Sequence, residues 1–185
     1  MPPSNPLTGL IKQFEYYKLL GERSIAQVTD EGLNWQFNDD SNSISIIVKH
    51  IHGNMLSRFT NFLTEDGEKE WRQRDSEFET EMLNRQQLDD LWQAGWKVTL
   101  EAIRGLSNDQ LDDIVYIRNM GHSVLEALHR QLSHYVYHIG QIVYIAKQLK
   151  GEEWQSLSIP KGKSESYNEE KFLKPKSRKH YTDDL

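Results

Sequence analysis

The chain has 185 residues, with 22 Lys or Arg against 28 Asp or Glu, a formal net charge of −6 and a sequence pI near 5.6. That length supports one domain with a real core, and the acidic balance argues against a surface built to neutralise phosphates or anionic lipid, so neither nucleic acid nor a membrane is an expected partner. Cysteine is absent, which excludes a disulfide framework, a thiolate zinc site and a cysteine nucleophile; a metal here is held by imidazole, carboxylate or water.

The chain opens with Met1-Pro2-Pro3-Ser4-Asn5, which has neither the basic region nor the apolar run of a secretory signal, and no stretch approaches the ~18 apolar residues of a membrane span, so a cytoplasmic protein is expected. Apolar residues at Leu10, Ile11, Phe14, Tyr17, Leu20 and Ile25 recur at helical spacing and predict a first helix from about Leu7 to Val28, with Pro6 in its first turn. Residues Thr29 to Asn42, rich in Asp, Asn, Gly and Ser, read as a loop anchored by Trp35 and Phe37. Ser43 is a suitable cap for a second helix from about Ile44 to Leu63, whose strip of Ile46, Ile47, His50, Asn54 and Ser57 faces inward.

The segment Thr64 to Thr80 is dense in charge and reads as an ordered excursion with little regular structure, and its Trp71 is expected to pack. A third helix runs from about Asn84 to Arg104 and is closed by Gly105. After a turn at Ser107 to Asp112, Ile114 to Ile117 is a brief extended run, and Asn119-Met120-Gly121 turns the chain. The fourth helix, from about Ser123 to Lys150, is the longest and is stopped by Gly151. Residues 161–185 carry seven Lys or Arg against five Asp or Glu, which leaves −8 on residues 1–160. The expected organisation is therefore an all-α body over 1–160 and a basic, partly flexible C-terminal tail over 161–185, docked at its start by Trp154, Leu157 and Ile159. Four amphipathic helices with these connections describe a four-helix bundle, an architecture that places metal ligands between facing helices.

Seven histidines occur, and helix phase sorts them. His134 and His138 are four apart, about 400° of turn and about 6 Å of rise, so both rings project from one face. His129 and His122 lie roughly 140° and 120° away from that face, and His180 sits in the polar tail. On the second helix His50 and His52 are about 200° apart; His50 shares the strip of Ile46, Ile47 and Asn54 and is the one that faces inward, with His52 as its competitor. One His from the second helix and a pair from the fourth give three neutral nitrogen ligands with open positions, the mark of a catalytic metal. Zinc is favoured by availability and tolerance of three imidazoles; nickel, iron, manganese and copper also accept nitrogen. Such a metal activates water, polarises a carbonyl or lowers the pKa of a substrate thiol.

Ser43-Ile44 followed by His50, together with His134-Tyr135-Val136-Tyr137-His138-Ile139-Gly140-Gln141, resembles the DinB/YfiT superfamily of metal-binding four-helix bundles. The strings His50 to Arg58 and Trp154 to Ser164 resemble one subfamily within it that is defined only as a domain of unknown function, and the likeness spans about Leu7 to Asn168. The resemblance implies an up-down-down-up bundle, homodimers and a divalent metal, zinc or nickel first, on His50, His134 and His138. It also implies small-molecule chemistry with a low-molecular-weight thiol as co-substrate, as in bacillithiol S-transferases and mycothiol-dependent maleylpyruvate isomerase, or hydrolysis.

The expected function is thus a divalent-metal-dependent enzyme of thiol S-transferase or hydrolase type; the alternative is a noncatalytic metal-binding stress or interaction protein. No carboxylate stands between the two ligands of the fourth helix, where Tyr135, Val136 and Tyr137 lie, so a peptidase of the His-Glu-x-x-His kind is disfavoured. Asn54, Gln131, Gln141 and Arg130 are candidates for contact with substrate or for fixing a ring tautomer. Gly140 reads as a site of close helix approach. The excursion and the tail are the segments placed to cover the site mouth.

Overall fold

The computed structural model describes residues 5–183, so the reading of Met1 to Ser4 and the last two residues of the tail lie outside the described residues. The described chain is mostly helical: α1 (Pro6–Ile25), α2 (Asp30–Leu33), α3 (Ile44–Phe59), α4 (Arg85–Arg104), the strands β1 (Ile114–Ile117) and β2 (Met120–Ser123), α5 (Val124–Lys150) and α6 (Ser164–Phe172). No helix among the described residues is long and apolar enough to cross a membrane.

Each long helix starts where a side chain satisfies otherwise free backbone N–H groups. Asn5 accepts from Leu7 and Thr8 N–H ahead of α1, and Ser43 accepts from Ile46 N–H ahead of α3. Asn84 with Gln87, and Ser123 with Glu126, form reciprocal capping boxes on α4 and α5. Helix α3 buries twelve of its sixteen residues, which explains why its sequence is apolar almost all round. It packs on α4 and α5, while α1 packs on α5 and α4. Phe14, Trp96 and Tyr135, all fully buried, meet edge to face at the centre, with the Tyr135 ring 6.2 Å from Phe14 and 5.8 Å from Trp96.

Five local features differ from the sequence reading. The loop after α1 contains the short α2, capped by Thr29 Oγ1, which accepts from Gly32 N–H. Helix α3 ends at Phe59 rather than near Leu63, because Thr60 turns extended and Asn61 takes a left-handed φ of 49°; Phe62 and Leu63 keep the apolar period without the helix. The extended run at Ile114 becomes a hairpin with β2, in the register Val115 with His122 and Tyr116 with Gly121. Its two-residue turn holds Arg118 and Asn119 at φ of 55° and 60°, the geometry of a type I′ turn, and the Asp66 carboxylate accepts from both of their N–H groups at 2.8 Å. The aromatics expected as anchors are exposed, Trp71 at 55%, Phe37 at 78% and Trp35 at 39%, and do not serve as such. The tail contains α6, and its end returns to α1, where Tyr181 packs against Tyr16 and Asp183 pairs with Lys12.

The excursion between α3 and α4 is tied down by hydrogen bonds rather than by a helix. Ser57, buried on α3, donates to Gly67 C=O at 2.7 Å and accepts from Lys69 N–H at 3.1 Å, and Gly67 N–H donates to Tyr116 C=O at 2.8 Å. One hydroxyl thus fastens the excursion, the excursion fastens the hairpin, and both come to lie over one end of α3 and α5. Ser57→Ala leaves the buried Lys69 N–H without its acceptor, so urea denaturation is expected to show a loss of about 1–3 kcal/mol through a lower midpoint with an unchanged m-value.

Candidate metal centre

Helix phase carries His50 on α3 and His134 and His138 on α5 to a common point. His134 Nε2 lies 3.3 Å from His50 Nε2 and 3.1 Å from His138 Nε2, and one nitrogen from each ring falls within 4.8 Å of the others. His50 and His138 are buried and His134 is half-buried. Among the described residues this is the grouping of His and acidic side chains that could hold a metal ion.

The tautomer of His50 follows from its other nitrogen. Nδ1 stands 2.9 Å from Glu77 Oε2; a carboxylate only accepts, so Nδ1 carries the proton and Nε2 turns a lone pair toward His134. Glu77 sits in a short 3₁₀ turn, Asp75–Phe78, within the excursion. Arg72 grips it through two 2.8 Å hydrogen bonds, Nε to Oε1 and Nη2 to Oε2. Burial alone would raise the Glu77 carboxyl, but hydrogen bonds from His50 and Arg72, with their charge, hold it below the usual carboxylate range. The approach needs Gly53: a Cβ there would collide with Glu77 Oε1.

The remaining rings are kept neutral. Burial first, then the neighbouring His138 and His50 and the guanidiniums of Arg58 and Arg72, push His134 down to about 3. Burial and His50 push His138 down to about 4, with Gln141 opposing the shift; no hydrogen bond closes on His138 Nδ1, however. With His50 donating to Glu77, the three clustered Nε2 atoms cannot all find protons to share, since the central one can donate to only one neighbour. A divalent cation held there would satisfy the three lone pairs together.

The other candidates divide. His52 turns away and its Nδ1 contacts Leu91 C=O at 2.8 Å, so it does not join the trio. Asn54 is buried at the site, where its Oδ1 accepts from Tyr135 O–H at 3.1 Å. Gln131 and Gln141 line the cavity above the trio, and Gln131 Oε1 is buried without a partner. Arg130 lies at the same cavity, exposed, with Nη1 at 3.0 Å from His122 Nε2. Gly140 is exposed with open space beside it, so close helix approach does not explain it. The excursion supplies Arg72, Arg74 and Phe78 to the cavity, and the tail supplies none of its lining.

Sequence reasoning missed Glu77 and the arginines of the excursion and hairpin. The site does have a carboxylate, held on the far nitrogen of His50 rather than among the cavity-lining residues. No spacing signal announces it, because it reaches His50 from 27 residues away through an irregular segment.

No curated protein and no solved structure matches the chain. The family described as "Protein of unknown function (DUF1572)" matches residues 4–163, a span that takes in all four long helices and the histidine trio, and the chain belongs to that family.

Proposed function

We propose that this protein is a divalent-metal-dependent enzyme acting on a small molecule, with the metal on His50, His134 and His138 inside an up-down-down-up four-helix bundle of DinB/YfiT type. The observation that carries the reading is the convergence of three neutral ring nitrogens, one of them oriented by a buried carboxylate. A metal held there supplies Lewis acidity, with which a hydrolase activates water and a thiol S-transferase lowers the pKa of its thiol. The chain's own residues do the rest. Glu77 fixes the His50 tautomer, Asn54 is held by Tyr135 with its amide free to meet a ligand, and Phe78 covers one face of His50 at 4.6 Å between ring centroids. A noncatalytic metal store would be better served by a fourth protein ligand and a sealed site; here three histidines open on a cavity of about 440 Å³. The bundle body over 1–160 with a separate tail, the cytoplasmic location and the homodimer belong to the same proposal. The homodimer is supported by exposed Trp35, Phe37, Tyr137 and Tyr144 around a second cavity of about 600 Å³.

Protein purified without a polyhistidine tag is expected to carry stoichiometric zinc or nickel by elemental analysis, and to turn over a thiol-transfer or hydrolysable substrate only while the metal is present. Absence of bound metal, with unchanged divalent-metal affinity after His50→Ala, His134→Ala and His138→Ala, would overturn the reading. Chelator competition should show each of these three losing more affinity than Glu77→Gln, whose expected loss is about 10–100-fold.

The metal-free protein should also be acid-sensitive in a defined window. His134 and His138 are depressed in the folded state, to about 3 and about 4, so below about pH 6.5 the unfolded chain binds protons that the folded chain refuses. Stability is therefore expected to fall as pH drops from about 6.5 toward 4, read as a falling Tm. The His134→Gln/His138→Gln variant should show a flatter pH dependence over that range.

A further inference from the structure

The cavity over the trio is lined by Arg58, Arg72, Arg74, Arg118 and Arg130, and by no Asp or Glu, in a chain whose net charge is −6. Concentrating five cations against that overall balance calls for an explanation beyond solubility. All five are arginine, the side chain that recognises carboxylate and phosphate with a planar fork.

Ion pairing within the protein accounts for part of this charge only. Arg72 is taken up by Glu77. The single carboxylate of Glu68 serves three guanidiniums, Arg58 and Arg118 at 3.1 Å and Arg72 at 3.5 Å. Two arginines are left with little compensation. Arg74 has its nearest carboxylate, the fully exposed Asp75, at 4.0 Å, and its guanidinium rests over Phe78 at 5.1 Å. Arg130 has a ring nitrogen of His122, not a carboxylate, as its hydrogen-bond partner at 3.0 Å. Deeper in, Arg58 is only 5% exposed, yet its Nε–H has no partner. That donor is closed off from the cavity, so the anion-facing forks are those of Arg74 and Arg130.

We propose that the cavity binds an oxyanion-bearing small molecule, a carboxylate or phosphate compound, with the anionic group held by Arg74 and Arg130, and the reacting atom turned toward the histidine trio. The reacting end rests on the metal reading above; the anion-binding end stands on the arginines alone. Phe78 and Tyr137, both lining the same cavity, provide apolar surface for the carbon frame between the two ends.

Inorganic phosphate titrated calorimetrically into metal-free protein, and separately into protein loaded with one equivalent of zinc, separates the two ideas. Metal-free wild type is expected to bind phosphate saturably. The Arg74→Gln/Arg130→Gln variant should bind it at least about tenfold more weakly, because both charge and forks are lost, and Arg74→Lys/Arg130→Lys should fall between, because charge remains without the fork. Zinc affinity should change by less than about threefold in either variant, since neither side chain is a ligand. Phosphate binding in a protein that takes up no zinc would sink the metal reading and leave the anion site standing. Equal phosphate affinity in wild type and the glutamine variant, or no binding to metal-free wild type, would overturn the anion site.

Discussion

The Glu77 carboxylate, shared between His50 Nδ1 at 2.9 Å and a two-pronged Arg72 at 2.8 Å, is the contact on which the geometry of the site depends. A carboxylate taken out of water is tolerated only when its lone pairs and charge are answered in place. Here three hydrogen bonds and a guanidinium answer them, and each partner gains something in return. Arg72 brings the irregular excursion down onto α3, and His50 receives a fixed tautomer. Gly53 is the clearance that makes the approach possible, one turn of α3 beside the ring it helps to orient. Removing any one member strands the others, since breaking a buried charged network costs more than the network itself contributes.

Around that contact the electrostatics pull in a single direction. Burial, with the guanidiniums of Arg58 and Arg72 nearby, disfavours protonation of His134, so its lone pair is available at neutral pH. The same positive field resists a divalent cation, and Glu77 and Glu68, set behind the cavity lining, offset part of that resistance. What remains is a surplus of positive charge facing the cavity, which a negatively charged ligand would balance. In the proposed reading, metal and ligand anion are complementary parts of one arrangement: the histidines would provide neutral donors for the first, and the arginines forks for the second.

Much of the helical frame was legible because helices announce themselves locally. Asn5, Ser43, Asn84 and Ser123 cap where a short polar residue precedes an apolar period. The choice of His50 over His52 needed the angle between two positions on a helix and the strip of Ile46, Ile47 and Asn54; His122 and His129 were set apart from the pair on the fourth helix by the angle alone, and His180 by its place in the polar tail. Where the reading slipped, local rules had competitors: Phe62 and Leu63 extend an apolar period that Asn61 has already broken, and the polar stretch beyond Gly162 folds into α6 without an apolar face to foretell it.

By itself the sequence determined the long helices, the histidines that share a helix face and the contrast in charge between residues 1–160 and 161–185, because each depends on composition or on a repeat of a few residues. Tertiary structure alone decided that a carboxylate stands behind His50 and that Arg58, Arg72, Arg74, Arg118 and Arg130 gather over the trio. Those residues come from α3, the excursion, the hairpin and α5, and are joined by a hydroxyl at Ser57, a carboxylate at Asp66 and a clearance at Gly53. No period links such positions, since hydrogen bonds between irregular segments obey geometry in space and leave no spacing along the chain.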